Sequence, residues 1–478
     1  MNKDFTGDET LLIGISKLDV GSVIPALKHI DAYPPLTYLA IHYMMQVSHS
    51  EAFVRLYFVF FGIGNCVLIY LMARELLDEG FANIVLMLSA LSPLLIFASQ
   101  YVRSYIDSSF WMLASVLFML KILKGSNSRF CWIGYMISAS LAVYTFYFSA
   151  LLIFTQFLFV TVFFHNNMKY LVKWYAAFLT VGILFLPWAP SALQQFRNAS
   201  SIIFDWSSKG FVIGPFKVGV YLRNISAILG FDPFFMVFEK GINAHFSRFS
   251  LLVVAIIAAA IFLLALVRSV RILLFRFQSR RYIAWFFPFM VFVPVLSAWV
   301  AAALINTYPT SKYFVAFHSM YLILLSIIII SVLKKNKVFG FIFVFTVVLA
   351  YALRIPQAVS VEFDNKGAMS YLQDKVESGA PVLCIRSLLN ESMKDAIRLD
   401  PFIKLNEKGT EYIVSSMSEW SSVKNRISVF PKVLGYKIYG NDEIFGANKL
   451  LDNLAEDAGF SISSVKKFKN IDVIEYEK

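Results

Sequence analysis

Ten apolar runs follow one another along the first three quarters of the chain, near residues 53–74, 81–100, 106–123, 130–146, 148–164, 174–190, 249–267, 283–305, 313–333 and 338–353. About 20 helical residues cross the hydrocarbon core of a bilayer, and these runs approach that length. Lipid offers the backbone no hydrogen bonds, so such segments fold as helices. The expected fold class is therefore mainly α, a polytopic helical membrane protein. Composition agrees, because only 15% of the 478 residues are charged and 58% are hydrophobic, against roughly 25% charged in soluble domains. The formal charge of +12 does not mark a nucleic-acid surface. That reading needs Lys and Arg clustered on one solvated face, and here they are scattered over short loops.

Those loops set the expected orientation. Basic residues gather in alternate connections: Lys121, Lys124 and Arg129; Lys169 and Lys173; Arg268, Arg271, Arg276, Arg280 and Arg281; Lys334, Lys335 and Lys337. The positive-inside rule assigns these loops to the cytoplasm. Alternation then puts residues 1–52, the turn at 100–107, the loop 191–247, the turn at 306–312 and everything after Arg354 on the outer face. Residues 1–8 are polar and carry no apolar stretch of a cleavable signal. An outer first segment without a signal leads to the expectation of one more spanning helix upstream of Met1. Cys66, Cys131 and Cys384 lie in unrelated settings and give neither a disulfide framework nor metal-ligand spacing.

The expected organisation is a first outer loop with interfacial helices over 1–52, a transmembrane domain over 53–353 and an extracytoplasmic α/β domain over 354–478. In the tail, charges return and apolar residues thin into short alternating runs. Met369, Leu372 and Val376 mark one amphipathic helix; Ile444, Ala447, Leu451 and Leu454 mark another, which Gly459 terminates. Strands are expected at 382–386, 412–415, 427–430, 461–465 and 473–476. The tail has no Gly-rich phosphate loop, so it reads as a binding or structural appendage.

Ion-coupled transporters and channels carry charged groups in mid-span, and here the span centres are nearly empty of them. Asp107 lies one turn into its run and His318 near the outer end of another. Polar chemistry gathers instead in the outer segments, at Asp8, Glu9, Asp19, His29, Asp31, Arg103 and Lys312. That distribution suits an enzyme working at the outer surface on a lipid-linked substrate.

Four motifs carry candidate chemistry. In Thr6-Gly7-Asp8-Glu9-Thr10 a carboxylate has two readings, a general base or cation ligand, or a cap for a helix beginning near Thr10. In His29-Ile30-Asp31-Ala32-Tyr33-Pro34-Pro35-Leu36-Thr37-Tyr38 the prolines fix an extended approach to a helix, and His29 and His42 are ligands, proton carriers or interface residues. Ser99-Gln100-Tyr101-Val102-Arg103-Ser104-Tyr105 offers an Arg fork for phosphate or a snorkelling Arg beside interfacial tyrosines. In Pro309-Thr310-Ser311-Lys312-Tyr313 the lysine is a second point charge for phosphate or an interfacial anchor.

Taken in order, these motifs resemble the GT-C membrane glycosyltransferases, in particular the bacterial branch similar to protein O-mannosyltransferases and the Rgt-type lipopolysaccharide transferases. The resemblance runs from Asp8-Glu9 through Pro34, Pro35, Leu36, Tyr38, His42 and Arg55 to Ala73-Arg74-Glu75-Leu76, Leu91-Ser92-Pro93, Ser99-Gln100 and Arg103-Ser104-Tyr105, then to Lys312-Tyr313 and residues 365–372. It implies a polyprenyl-phosphate sugar donor, a glycan, lipid or protein acceptor, Asp8 and Glu9 as catalytic residues, and a substrate and phosphate site of Arg103, Lys312, His29, Tyr105, Gln100 and Tyr313. It implies inversion at the anomeric carbon and a bacterial inner-membrane location. A divalent cation is left open. The sequence departs from the pattern in having Tyr101 and Val102 where many members have Glu-Ala, and Tyr33 where a His commonly precedes the Pro-Pro pair. A flippase, transporter or polymerase for lipid-linked glycans and an inactive scaffold are the alternatives.

Overall fold

The computed structural model describes residues 7–76, 79–206, 267, 270–275, 281–304, 311–353, 355–359, 371–372, 374–375, 382–385, 411–414, 417–438, 447–468 and 471–478. All but the last residue of the span expected at 249–267 lies outside this set, as do Met369, Val376 and Ile444 of the tail helices. The chain forms two compact units, one of Met1–Asp31 with Ser360–Lys478, the other of Ala32–Val359.

The helices are, in chain order, α1 (Gly7–Ser16), α2 (Val20–Ile30), α3 (Leu36–Val47), α4 (Glu51–Leu76), α5 (Glu79–Ala90), α6 (Pro93–Gln100), α7 (Ile106–Leu123), α8 (Arg129–Thr145) and α9 (Ser149–Phe164). They continue with α10 (Met168–Phe185), α11 (Ala189–Trp206), α12 (Tyr282–Leu304), α13 (Val315–Lys335), α14 (Lys337–Ala352), α15 (Ile355–Val359), α16 (Met417–Ile427) and α17 (Ala447–Asp457). A short 3-10 turn, Ser311–Phe314, leads into α13.

In the Ala32–Val359 unit, five described helical segments are long and apolar enough to cross a membrane: α4, α7, α10, Tyr282–Ala301 and Lys312–Lys335. The 26 residues of α4 reach about 39 Å, more than the roughly 30 Å of hydrocarbon. The span expected at 81–100 is broken, with α5 and α6 meeting at 55°. Pro93 has no N–H to continue the α5 ladder and its ring crowds the preceding turn. It therefore starts a new helix, where Ser92 caps by accepting from the Leu95 N–H.

Glycine sets the spacing of α4 and α6. A Cβ built on Gly62 would lie 2.1 Å from Ser99 Oγ and 2.8 Å from Ser99 Cβ. Gly62→Val is therefore expected to push the helices apart and cost about 1–3 kcal/mol, read as a lowered melting temperature in detergent. An unchanged melting temperature would contradict this packing.

Buried polar side chains tie several helices of this unit together, as burial away from water favours pairing. Tyr135 donates to Gln156 Oε1 at 2.8 Å, and Gln156 Nε2 donates to Ser115 Oγ at 3.0 Å, which joins α8, α9 and α7. Asn65 on α4 donates to the Ile106 carbonyl at 2.9 Å and accepts from Ser109 at 2.7 Å, so α4 grips the first turn of α7.

The other unit contains α1, α2 and a five-stranded sheet of β1 (Val382–Ile385), β2 (Glu411–Val414), β3 (Lys432–Ile438), β4 (Ser461–Phe468) and β5 (Ile471–Glu477), in the order β2-β1-β3-β5-β4. β1 pairs in parallel with β2 and β3, while β5 pairs antiparallel with β3 and β4. The strand expected at 427–430 is instead the end of α16 and the turn after it. Trp420, Val423 and Ile427 recur at helical spacing and are all buried. The actual strand starts after Pro431, and its alternation is broken by Gly435, where a Cβ would meet Tyr476 at 2.6 Å. Leu451 and Leu454 of α17 join the same core, each contributing about 1.5–3 kcal/mol on burial. Gly459 ends this region with a φ of +86° that favours glycine.

An ion cluster forms around Glu475 of β5, a strand paired on both sides. Glu475 is 4% exposed, pairs with Lys432 and with Lys375 at 3.1 Å, and accepts from the Tyr371 hydroxyl at 2.7 Å. Burial by itself raises the carboxyl, but the hydrogen bonds from Lys432, Tyr371 and Lys375 outweigh it and hold the group down at about 2. A depressed carboxylate contributes stability above its unfolded value, near 4.5, and loses it as pH falls through about 2. Pepsin cleavage within 432–478 is therefore expected to accelerate as pH drops from 4.5 towards 2. Glu475→Gln should flatten that dependence; an identical profile would refute the role.

Candidate active site

The turn between α6 and α7 is built from two successive i to i+2 hydrogen bonds, Arg103 N–H to the Tyr101 carbonyl at 2.9 Å and Tyr105 N–H to the Arg103 carbonyl at 2.7 Å. All of residues 101–105 are buried. Arg103 is 4% exposed, its guanidinium carbon sits 4.4 Å from the centroid of the Tyr33 ring, and one terminal nitrogen donates to the Tyr38 hydroxyl at 3.1 Å. The stacked cation is worth about 0.5–2 kcal/mol. More important for chemistry, the planar fork is held rather than left to search its rotamers.

Lys312, on the 3-10 turn before α13, stands over the Tyr101 ring at 4.5 Å and donates to its hydroxyl at 3.0 Å. An aromatic floor connects the two cations. Tyr101 stacks on Tyr105 at 6.0 Å, Tyr105 meets Tyr313 at 5.8 Å, and the Tyr33 and Tyr105 hydroxyls lie 3.0 Å apart. Phe146 closes it, stacked on Tyr33 at 5.4 Å and edge-on to Tyr313 at 5.1 Å.

Hydrogen bonds fix the elements that carry these groups. Ser92, at the break between α5 and α6, meets His318 Nε2 of α13 at 2.7 Å, so α6 is tied to the Lys312 side of the structure at its start as well as through Tyr101 beyond its end. Arg55 of α4, 1% exposed, donates to the Gln100 carbonyl at 3.2 Å and faces Glu51 at 3.6 Å. Gln195 holds the Tyr33 carbonyl at 3.0 Å and is itself gripped by Tyr147, which accepts from Trp188 at 2.7 Å.

Of the residues expected from sequence, Arg103, Tyr105, Lys312 and Tyr313 come together in this cluster. Gln100 lies at the end of α6 and its amide turns back to the Ile96 carbonyl at 3.2 Å. Asp8, Glu9 and His29 belong to the other unit, Asp8 in the first turn of α1 and His29 near the end of α2. The helix already includes Asp8, which is therefore inside it and not the cap of a helix beginning near Thr10. Glu9 is fully buried. His42 pairs with Gln46 of its own helix at 2.9 Å. Among the described residues, no group of three His, Cys, Asp or Glu is placed to hold a metal ion.

Sequence reading passed over Tyr33, Tyr38 and Tyr101 as parts of this cluster. Their signal was the flanking of Pro34-Pro35 by two tyrosines and the spacing of Tyr101, Arg103 and Tyr105 at every second residue.

No protein-family model and no curated protein sequence matches the chain. Solved structures do resemble it. ArnT from Cupriavidus metallidurans in the apo state superposes with a TM-score of 0.57 at 11% identity, over 99% of this chain and 94% of that one. The same protein bound to undecaprenyl phosphate gives 0.54 at 11% identity, with the same coverage. The Archaeoglobus fulgidus oligosaccharyltransferase, in complex with Zn and sulfate, gives 0.52 at 13% identity over 98% of this chain and 70% of that one. The chain thus has a mainly helical membrane-protein fold with a small C-terminal sheet, similar to the folds of these solved structures.

Proposed function

We propose that the chain is a membrane glycosyltransferase that takes a sugar from a polyprenyl-phosphate donor and passes it to a hydroxyl or amide of a glycan, lipid or protein acceptor at the outer membrane face. The observation that carries this reading is the pairing of Arg103 and Lys312 on one aromatic floor, in a fold shared with a structure that holds undecaprenyl phosphate. Two cations suit a phosphate monoester leaving group, and tyrosine and phenylalanine faces suit the sugar ring and the first isoprene units.

In the proposed step the acceptor oxygen or nitrogen attacks the anomeric carbon. The bond from that carbon to the phosphate oxygen breaks, its electron pair leaves with the phosphate, and the configuration inverts. Arg103 and Lys312 offset the charge that builds on the phosphate. Asp8 takes the acceptor proton, a role it has from the resemblance and from its place in the sequence order. The Lys and Arg distribution supports the outer-face location and the extracytoplasmic tail, and the inner-membrane setting is what the resemblance implies.

The test is a transfer assay with the purified chain in lipid vesicles, supplied with radiolabelled hexose or pentose on polyprenyl phosphate and an extract of envelope glycans and proteins. Label on an acceptor together with free polyprenyl phosphate supports the reading. Movement of intact donor across the vesicle without cleavage would support transport instead, and neither outcome would leave a scaffold.

A further inference from the structure

Asp107 is a carboxylate that the proposed step leaves unused, and it is completely buried. Its Oδ2 accepts from Thr37 Oγ1 at 2.7 Å and from the Tyr57 hydroxyl at 3.3 Å, and its Oδ1 accepts from the Ser108 N–H at 2.9 Å. Burying a carboxylate among neutral donors is costly. A helix needs no such group in its first turn, where any residue with a short polar side chain serves.

Its chief partner explains the expense. Thr37 is in the first turn of α3, with Tyr38 next to it and Tyr33 four residues before. Between Tyr33 and Thr37 lie Pro34 and Pro35, both buried, whose rings fix φ near −65° and remove most of the freedom of the link. Holding Thr37 therefore holds Tyr38 directly and Tyr33 through the stiff link. Tyr33 covers the Arg103 guanidinium and Tyr38 accepts its hydrogen bond. Arg103 itself stands on the turn that runs straight into α7, four residues before Asp107. The Thr37 to Asp107 bond closes a small loop of structure, with α3 on one side, the cation turn on the other and the guanidinium between them.

We infer that Asp107, through Thr37, is the positioning residue for Arg103: it clamps the Tyr33-Pro34-Pro35-Leu36-Thr37-Tyr38 segment against the α6–α7 turn so that the guanidinium is aimed at an anionic phosphate ester. The inference rests on the proposed function for the identity of that anion, and it assigns the Pro-Pro segment a role in anion recognition beyond starting a helix.

The experiment uses two readouts on the full chain in detergent. The first is the rise in melting temperature on adding undecaprenyl monophosphate, which follows from ligand binding to the folded state. The second is kcat and KM in the transfer assay. Thr37→Val removes one hydroxyl at nearly constant volume, and is expected to lose most of the lipid-induced rise while its melting temperature without lipid stays within a few degrees of wild type. Its kcat should fall about 10- to 100-fold, the scale of a small misplacement, and Thr37→Ser should regain most of the loss. Tyr57→Phe deletes a bond to the same oxygen without touching α3 and should cost less than Thr37→Val. In an Arg103→Ala background, Asp107→Asn should add less than about twofold, since the two act as one unit. A Thr37→Val chain with the wild-type lipid response, or Asp107→Asn and Arg103→Ala losses that multiply, would overturn the inference even if sugar transfer is confirmed. A wild-type chain that binds the lipid yet transfers no sugar would sink the proposed reaction and leave the clamp to be judged on the binding readout. A wild-type chain that shows neither would sink both.

Discussion

Arg103→Ala is expected to transfer sugar about 100- to 1,000-fold more slowly than the wild-type chain, with a smaller change in the concentration of donor needed for half-maximal rate. The scale is that of removing one preorganised donor from a site where charge develops, about 2.7–4 kcal/mol. Preorganisation is the reason to expect the upper part of it. Arg103 is 4% exposed, stacked on Tyr33 and bonded to Tyr38, so its orientation is set before substrate arrives and costs nothing to establish during the reaction. Water does not replace it well in a buried aromatic floor. Arg103→Lys should recover only part of the rate, because an ammonium cannot present a planar fork to two phosphate oxygens. Lys312 is partly exposed, where solvent screens its charge, so Lys312→Ala is expected to cost less. The measurement is kcat from initial rates at saturating donor, on protein whose elution in size-exclusion chromatography matches wild type. An Arg103→Ala chain within threefold of wild type would remove Arg103 from the phosphate site.

How much of this was legible in the sequence depends on the range of the interaction. Spanning helices come from runs of apolar residues, a local signal, and lipid enforces helix wherever such a run crosses it. The break between α5 and α6 was equally local, written as Ser92-Pro93 inside an apolar stretch, but its consequence was not. Reading 81–100 as one span ignored what Pro93 does to the α5 ladder. In the tail, the 427–430 expectation failed because Ile427 was counted as the start of an alternating run when it is the last member of the helical set Trp420, Val423, Ile427. β3 escaped notice because close packing against Tyr476 requires glycine at 435, the place where alternation would have shown it.

The candidate site divides the same way. Arg103, Tyr105, Lys312 and Tyr313 stand out because cations and tyrosines at the ends of apolar runs are visible one segment at a time. What makes them a site is contact across 65 to 72 residues, from Tyr38 to Arg103 and Tyr33 to Tyr105. Nothing in one sequence reports that Tyr33 covers an arginine. Tyr101 shows the cost of reasoning from a pattern: in place of a carboxylate it looked like a loss, yet it supplies the ring and hydroxyl that Lys312 meets.

Asp8→Asn is expected to have the other large effect, a fall in kcat of about 100- to 10,000-fold, the range that general-base assistance supplies. Had the helix begun near Thr10, Asp8 would have had a sufficient structural task as its cap, and replacing it would have cost stability. Asp8 lies inside α1 (Gly7–Ser16), so it is not the cap of a helix that begins near Thr10. Asparagine keeps the size and a hydrogen-bonding oxygen while removing the basicity. The substitution is thus expected to leave the melting temperature within a few degrees, the lipid-induced rise intact and donor KM nearly unchanged, while the chemical step collapses. Glu9→Gln provides the contrast, because Glu9 is fully buried: replacing a buried carboxylate disturbs its satisfied environment and should lower stability. If Asp8→Asn transfers sugar at the wild-type rate, the acceptor proton goes elsewhere, and the search for the base returns to the outer loops.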